Sequence, residues 1–241
     1  MAGYIIHLAV AKRYIDIKYQ NELDDTNRAK LLFGSLAPDL LKTDNFGRSA
    51  THFSEKETYF DKLPNYHKFM RKYDLNDSFL IGYLIHLITD YYFYGDYLED
   101  RLELVYDKKV ASNKYDNIFK VKGTNKFITW QELEQETGIY RDYDILDIPI
   151  QNHYSFNYWD IRQDISSIKS CIEDIVINYD KLTDIPISEL KFRLDTAKYK
   201  LQFNDKPLIL NYDSIIEFIE STTQKCIEIL KKDWRLHKNV I

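Results

Sequence analysis

The sequence predicts an all-α fold, a single multi-helix domain over residues 1–241 arranged around one buried helix. Three observations carry that reading. Glycine and proline are scarce, 7 and 5 among 241 residues, which disfavours a sheet protein with its many turns. Apolar residues recur three and four apart in stretch after stretch. One stretch, Phe79 to Tyr97 (FLIGYLIHLITDYYFYGDY), is apolar in nearly every direction of a helical turn, as a helix running through an interior must be. It is too short and too interrupted to span a membrane. An apolar content of 44% is enough to build a core, and no repeat, low-complexity segment or flexible linker divides the chain.

In order, Gly3 to Tyr19 reads as an amphipathic helix, with Ile6, Val10, Tyr14 and Ile17 in one stripe and His7 beside it. Asp25 or Thr26 caps a second helix that runs through Leu32 and Phe33 and stops near Gly34. In FGSLAPDLL, Pro38 biases Ala37 away from helix, which puts a bend there and leaves Asp39 at a turn among Phe33, Leu36, Leu40 and Leu41. Lys42 to Thr51 reads as a loop with His52 at its end. Ser54 is placed to cap a short helix, and Pro64 opens another that holds His67 and runs to about Tyr73. Asp74, Asn76 or Asp77 caps the central helix, which is expected to pass Asp96 towards Leu104.

Residues from about 107 to 128 read as a long loop or a small hairpin. Thr129-Trp130-Gln131-Glu132 has the spacing of a capping box, opening a short helix that ends at Gly138. Asp142 to Tyr158, which contains His153, is ambiguous. From Trp159 to about Tyr179, Ile161, Ile165, Ile168, Ile172 and Ile175 keep helical spacing, and a weaker helical stretch starts at Ser188. The last helix runs from about Asp213 to Leu236 with Ile215, Ile219, Cys226 and Ile229 inward.

Composition narrows the function. A net charge of −5 with signs interspersed argues against a sequence-independent nucleic-acid binder, which carries a basic stripe. Cys171 and Cys226, each among apolar neighbours, read as buried thiols. The opening MAGYIIHLAVAKRYIDIKY has no basic region ahead of its apolar run, and His7 interrupts that run. It reads as part of the folded protein, not as an export signal, and the expected compartment is cytoplasmic.

The chemistry-bearing residues are the polar ones in apolar settings: His7, Asp39, His52, His86 and Asp90, on three or four separate elements. His86 and Asp90 are four apart, on one helix face. A buried carboxylate must be paired, hydrogen-bonded or bound to a metal, so His-x-x-x-Asp reads either as a core hydrogen bond or as the start of a metal site. Imidazole and carboxylate suit zinc, whose catalytic sites keep a position for water. His67 and His237, beside basic residues, read as surface residues. Tyr91, Tyr92, Phe93 and Tyr94 read as core or pocket wall, with one tyrosine available to substrate.

Four words in this order, GYIIHLAVA around His7, LLFGSLAPDLL around Asp39, ATHF around His52 and LIGYLIHLITDYYF around His86 and Asp90, resemble the zinc-dependent phospholipase C family, which is related in fold to the S1/P1 nucleases. The resemblance covers residues 1 to 100. It implies that Asp39, His52, His86 and Asp90 hold one zinc, that Asp90 bridges to a second zinc at His7, and that metal-activated water attacks a phosphodiester with Asp39 as general base. The chain departs from the family's pattern in three places. Its secreted members use an amino-terminal Trp as a ligand, where this sequence reads Met1-Ala2-Gly3. The family's third-metal His falls on Asp96, and its later His-x-x-x-Glu has no counterpart; His153 is followed at that distance by Asn157. Asp96 and His153 thus stand as candidates for a third metal or for substrate. One His and a shared carboxylate are few ligands for zinc, so the expectation is one tight zinc and a second that is weaker or absent. The substrate implied is a phospholipid or small phosphoester. Two alternatives stand beside it: a hydrolase of a nucleotide or other small phosphodiester with the same metals, and a non-catalytic metal-binding or interaction protein.

Overall fold

The computed structural model describes residues 2–20, 22–41, 48–54, 56–57, 62–106, 117–133, 138–157, 161 and 206–238. They are mostly helical, and the centre of the packing is the helix the sequence singled out. Helix α1 spans Tyr4–Tyr19, α2 Asp25–Gly34, α3 Ala37–Leu40, α4 Arg48–Thr51, α5 Tyr66–Lys72 and α6 Ser78–Tyr92. Asp77 caps α6, its carboxylate accepting from the Phe79 N–H at 2.7 Å, and every residue from Ser78 to Asp90 except Ile81 is buried. Among the described residues, no helix is long and apolar enough to cross a membrane.

Several local expectations are corrected. Helix α1 is not amphipathic in its first half: Ile5 to Ala11 are buried without a break, because α6, the helix Ile139–His153 and the last helix pack around it. The cap of α2 is Asp24, which accepts from the Asn27 N–H at 2.9 Å. Pro38 makes no bend; it sits in the first turn of the short helix α3, where its missing N–H has no helical partner to lose. Asn65 caps α5, and Ser54 starts no helix; two short antiparallel strands, β1 (Lys56–Glu57) and β2 (Lys62–Leu63), follow it.

The central helix does not continue to Leu104. It ends in a π-helical turn, Phe93–Tyr97, and the chain then enters β3, Leu102–Tyr106. Leu102-Glu103-Leu104 alternates with period two, and its partner strand β4, Ile118–Val121, lies in the stretch read as a long loop or a small hairpin. With β5, Phe127–Thr129, these form an antiparallel sheet in the order β3-β4-β5, with Leu102 opposite Val121 and Phe119 opposite Ile128. Those four residues are buried.

The capping box is present. The Thr129 N–H donates to the Glu132 carboxylate at 2.7 Å and the Glu132 N–H to Thr129 Oγ1 at 3.2 Å, opening α7, Trp130–Leu133. The ambiguous stretch is helix α8, Ile139–His153, which tolerates Pro149. Its Asp142 carboxylate accepts three successive backbone N–H groups, from Leu208 at 2.7 Å, Ile209 at 2.6 Å and Leu210 at 2.9 Å. That grip sets the start of α9, Tyr212–Lys238, which lies along α1 and holds it through Arg13 and Glu220 at 3.0 Å. Ile215, Ile219 and Cys226 of α9 are buried, as expected. The expected helix from Trp159 to Tyr179 with Cys171 falls, Ile161 aside, outside the described residues. So do the stretch from Ser188 and the side chain of His237.

Candidate metal centre

The five residues singled out in the sequence meet in one place. His7 comes from α1, Asp39 from α3, His52 from the turn after α4, and His86 and Asp90 from α6. Each is at most 4% exposed.

Three of the side chains, His86, His52 and Asp90, are held by groups around them. His86 Nδ1 lies 2.8 Å from the Ser35 carbonyl oxygen. A carbonyl only accepts, so Nδ1 carries the proton and Nε2 presents its lone pair to the cluster. Burial first, and then the neighbouring His7, hold the pKa of His86 well below the ordinary imidazole value, against the pull of Asp39 and Asp90. Phe53, which follows His52, has a φ of 56° in the left-handed region. That conformation is unfavourable for an aromatic residue, and the rings of Phe69, Tyr73 and Tyr83 pack around Phe53 and hold it. Thr51 Oγ1 lies 2.8 Å from His52 Nδ1, and the Tyr83 hydroxyl donates to the Thr51 carbonyl at 2.6 Å. Asp90 is fixed by the Ala2 N–H, which donates to Oδ1 at 3.0 Å. Gly3 lets the Tyr143 ring of α8 close over this segment; a Cβ there would come within 3.1 Å of the ring.

The ring nitrogens and carboxylate oxygens face one another. His52 Nε2 lies 3.1 Å from His86 Nε2, 3.4 Å from Asp90 Oδ2 and 3.5 Å from Asp39 Oδ1. His86 Nε2 lies 3.7 Å from Asp90 Oδ2 and 3.9 Å from Asp39 Oδ1. A tetrahedral zinc with bonds of about 2.0–2.2 Å sets its ligand atoms roughly 3.3–3.6 Å apart. The five separations that involve a histidine nitrogen, 3.1–3.9 Å, bracket that spacing. The donor set, two imidazole nitrogens and two carboxylates, is of the kind zinc takes.

Asp90 turns its second oxygen the other way. Oδ1 is 3.4 Å from His7 Nε2, and neither ring nitrogen of His7 has a hydrogen-bond partner among the described residues. Two groups of potential ligands result, Asp39 with His52 and His86, and His7 with His86 and Asp90, the donor atoms within each lying inside 4.8 Å of one another.

Asp96 and His153 do not join these groups among the described residues. Asp96 lies in the π-turn, exposed, 3.5 Å from Lys225 of α9. His153 is exposed at the end of α8, with Nδ1 3.1 Å from the Tyr212 hydroxyl. His67 is on the surface, as expected. Phe93 and Tyr94 are buried, while Tyr91 and Tyr92 are half-buried, and Lys225 sits 3.6 Å over the Tyr92 ring. Sequence reasoning missed the residues that aim the cluster. Thr51 and Ser35 stand inside candidate words, but a hydroxyl on a neighbouring ring, or a carbonyl reaching a ring 51 residues away, leaves no distinctive local signal.

A family model for zinc-dependent phospholipase C matches residues 6–232. Comparison with curated proteins and with solved structures gave no match in either case.

Proposed function

The chain belongs to the zinc-dependent phospholipase C family, and from that premise we propose that it is a zinc-dependent hydrolase that cleaves the phosphodiester of a phospholipid. The observation that carries this reading is the convergence of buried donors from three parts of the fold: His52 Nε2 and His86 Nε2 lie 3.1 Å apart, and each lies 3.4–3.9 Å from a carboxylate oxygen of Asp39 and of Asp90. These four residues would hold one zinc, and His7 with the far oxygen of Asp90 would offer a second, weaker position. The chemistry that zinc supplies in such a site is charge neutralisation at a phosphoryl group and a lowered pKa for water.

The chain's own residues do the rest. His86 keeps its proton on Nδ1 against Ser35 and leaves Nε2 free to bind. Thr51 orients His52, and the Ala2 N–H steadies Asp90 Oδ1 while Oδ2 faces the cluster. Asp39 is the residue we assign to take a proton from the attacking water, on its carboxylate. The low dielectric around these buried groups strengthens every charge interaction among them.

The test is hydrolysis by zinc-reconstituted protein of phosphatidylcholine vesicles, bis(p-nitrophenyl) phosphate and a dinucleotide in parallel. Diacylglycerol release from the vesicles is the expected result. Hydrolysis of the soluble diesters alone would replace the lipid with a small phosphodiester. Loss of every activity in protein that has bound zinc would leave a non-catalytic metal-binding protein.

A further inference from the structure

We propose that Gly34 and Gly82 are positioning residues for His86: their backbone-to-backbone contact brings the Ser35 carbonyl onto Nδ1 and so reserves Nε2 for a cation. The inference rests on the metal-centre reading for its consequence, but its geometry is independent of any ion. Helices α2 and α6 meet at these two glycines. A Cβ at Gly34 would overlap the Phe79 carbonyl oxygen, and a Cβ at Gly82 would overlap the Leu31 carbonyl oxygen and lie 3.0 Å from the Ser35 nitrogen. The obstacles are backbone atoms in both directions, so neither helix can admit a methyl group without moving as a body.

The two glycines stand next to the two ends of one hydrogen bond. Ser35 follows Gly34 directly, and its own N–H and hydroxyl are tied back to α2, to the Leu31 carbonyl at 3.0 Å and the Leu32 carbonyl at 2.8 Å. Its carbonyl is therefore carried rigidly by α2. His86 is four residues after Gly82, on the same face of α6. The 2.8 Å contact between the carbonyl and Nδ1 is thus set by how closely the helices approach. A neutral imidazole places its one proton on either nitrogen, and the partner of one nitrogen decides the state of the other. Without Ser35, the carboxylates of Asp39 and Asp90, 3.9 and 3.7 Å from Nε2, draw the proton to Nε2, where it occupies the ligand lone pair.

The experiment reads the tautomer and the metal separately. Long-range ¹H–¹⁵N spectra of the zinc-free wild-type protein are expected to show His86 protonated on Nδ1; protonation on Nε2 would overturn the inference without any variant being made. Gly82→Ala and Gly34→Ala are expected to move the proton to Nε2 and to weaken zinc binding by about ten- to a hundredfold, the usual effect of losing a group that orients a ligand. Ile219→Val, a core truncation in α9, serves as the control that lowers stability while leaving both readouts unchanged. A folded glycine variant with wild-type tautomer or wild-type zinc affinity would overturn the positioning role. Wild-type protein that shows the Nδ1 tautomer but binds no zinc would instead overturn the proposed function and uphold the positioning of the ring.

Discussion

The ring of His7 lies flat against that of His86, with centroids 3.8 Å apart and planes inclined by 10°. The two imidazoles present their edges to the two oxygens of Asp90, Oδ1 3.4 Å from His7 and Oδ2 3.7 Å from His86. His7 thus has a packing role and a ligand role, and substitution can separate them. His7→Phe keeps a ring on His86 and removes the nitrogen. It is expected to lose the weaker zinc and to change the affinity of the tight one by less than about tenfold, roughly 1.4 kcal/mol. Calorimetric titration of metal-free protein with zinc measures both. Two equally tight zincs in His7→Phe would show that His7 is no ligand.

His86 is the residue common to both groups of donors. His86→Ala should lower zinc content and melting temperature together, since a metal bound only by the native state adds to folding stability, about 2.7 kcal/mol at a hundred times its Kd. Melting curves with and without chelator give the measurement. Coincident curves for the wild-type protein would mean that no metal contributes.

Asp90 faces both sides of the cluster, so its effect should exceed that of any other single ligand. Asp90→Asn retains the shape and the acceptor for the Ala2 N–H but removes the charge. We expect zinc affinity to fall at both positions and phosphodiester hydrolysis to drop by about a hundredfold or more, at or beyond the upper end of what losing an orienting group costs. Activity within a few-fold of wild type would remove Asp90 from the mechanism.

Asp147 gives a pH dependence separate from the cluster. Burial, and after it the charge of Asp144, holds its carboxyl well above the ordinary carboxylate pKa. A group whose folded pKa is raised contributes stability below its unfolded pKa and loses it as pH rises through the folded value. Asp147→Asn should therefore melt higher than wild type at pH 8, with the gap closing as the solution is acidified towards pH 4. A constant gap across that range would mean that Asp147 does not titrate in it.

What the sequence made legible was what short stretches determine. The central helix could be read because Phe79 to Ile88 is apolar all round, and the capping box because Thr129 and Glu132 act within one turn. His7, Asp39, His52, His86 and Asp90 stood out because a polar group in an apolar word requires a partner. The missed features need two distant stretches at once. Leu102 to Tyr106 is a strand because Ile118 to Val121 lies beside it, and its brief alternation alone does not outweigh a helical continuation; the hairpin of Ile118–Val121 with Phe127–Thr129 is one of the two readings of its stretch. Asp142 caps no helix of its own; its partners are 66 to 68 residues away. Ala37 and Pro38 show the converse, a local rule that was applied one position too strongly: the proline begins a helix where a bend was expected.

The reciprocal glycine crossing also bears on how lesions in this protein could be repaired. When a core substitution overfills a site lined by side chains, a second change that shrinks a neighbour restores the fit. At Gly34 and Gly82 the colliding atoms are carbonyl oxygens of Phe79 and Leu31, which every amino acid possesses. A genetic screen for suppressors of Gly82→Ala should accordingly return true revertants and almost nothing else nearby, whereas an overfilling change at Ala29 or Ala9, both buried, should yield compensating partners in several neighbours.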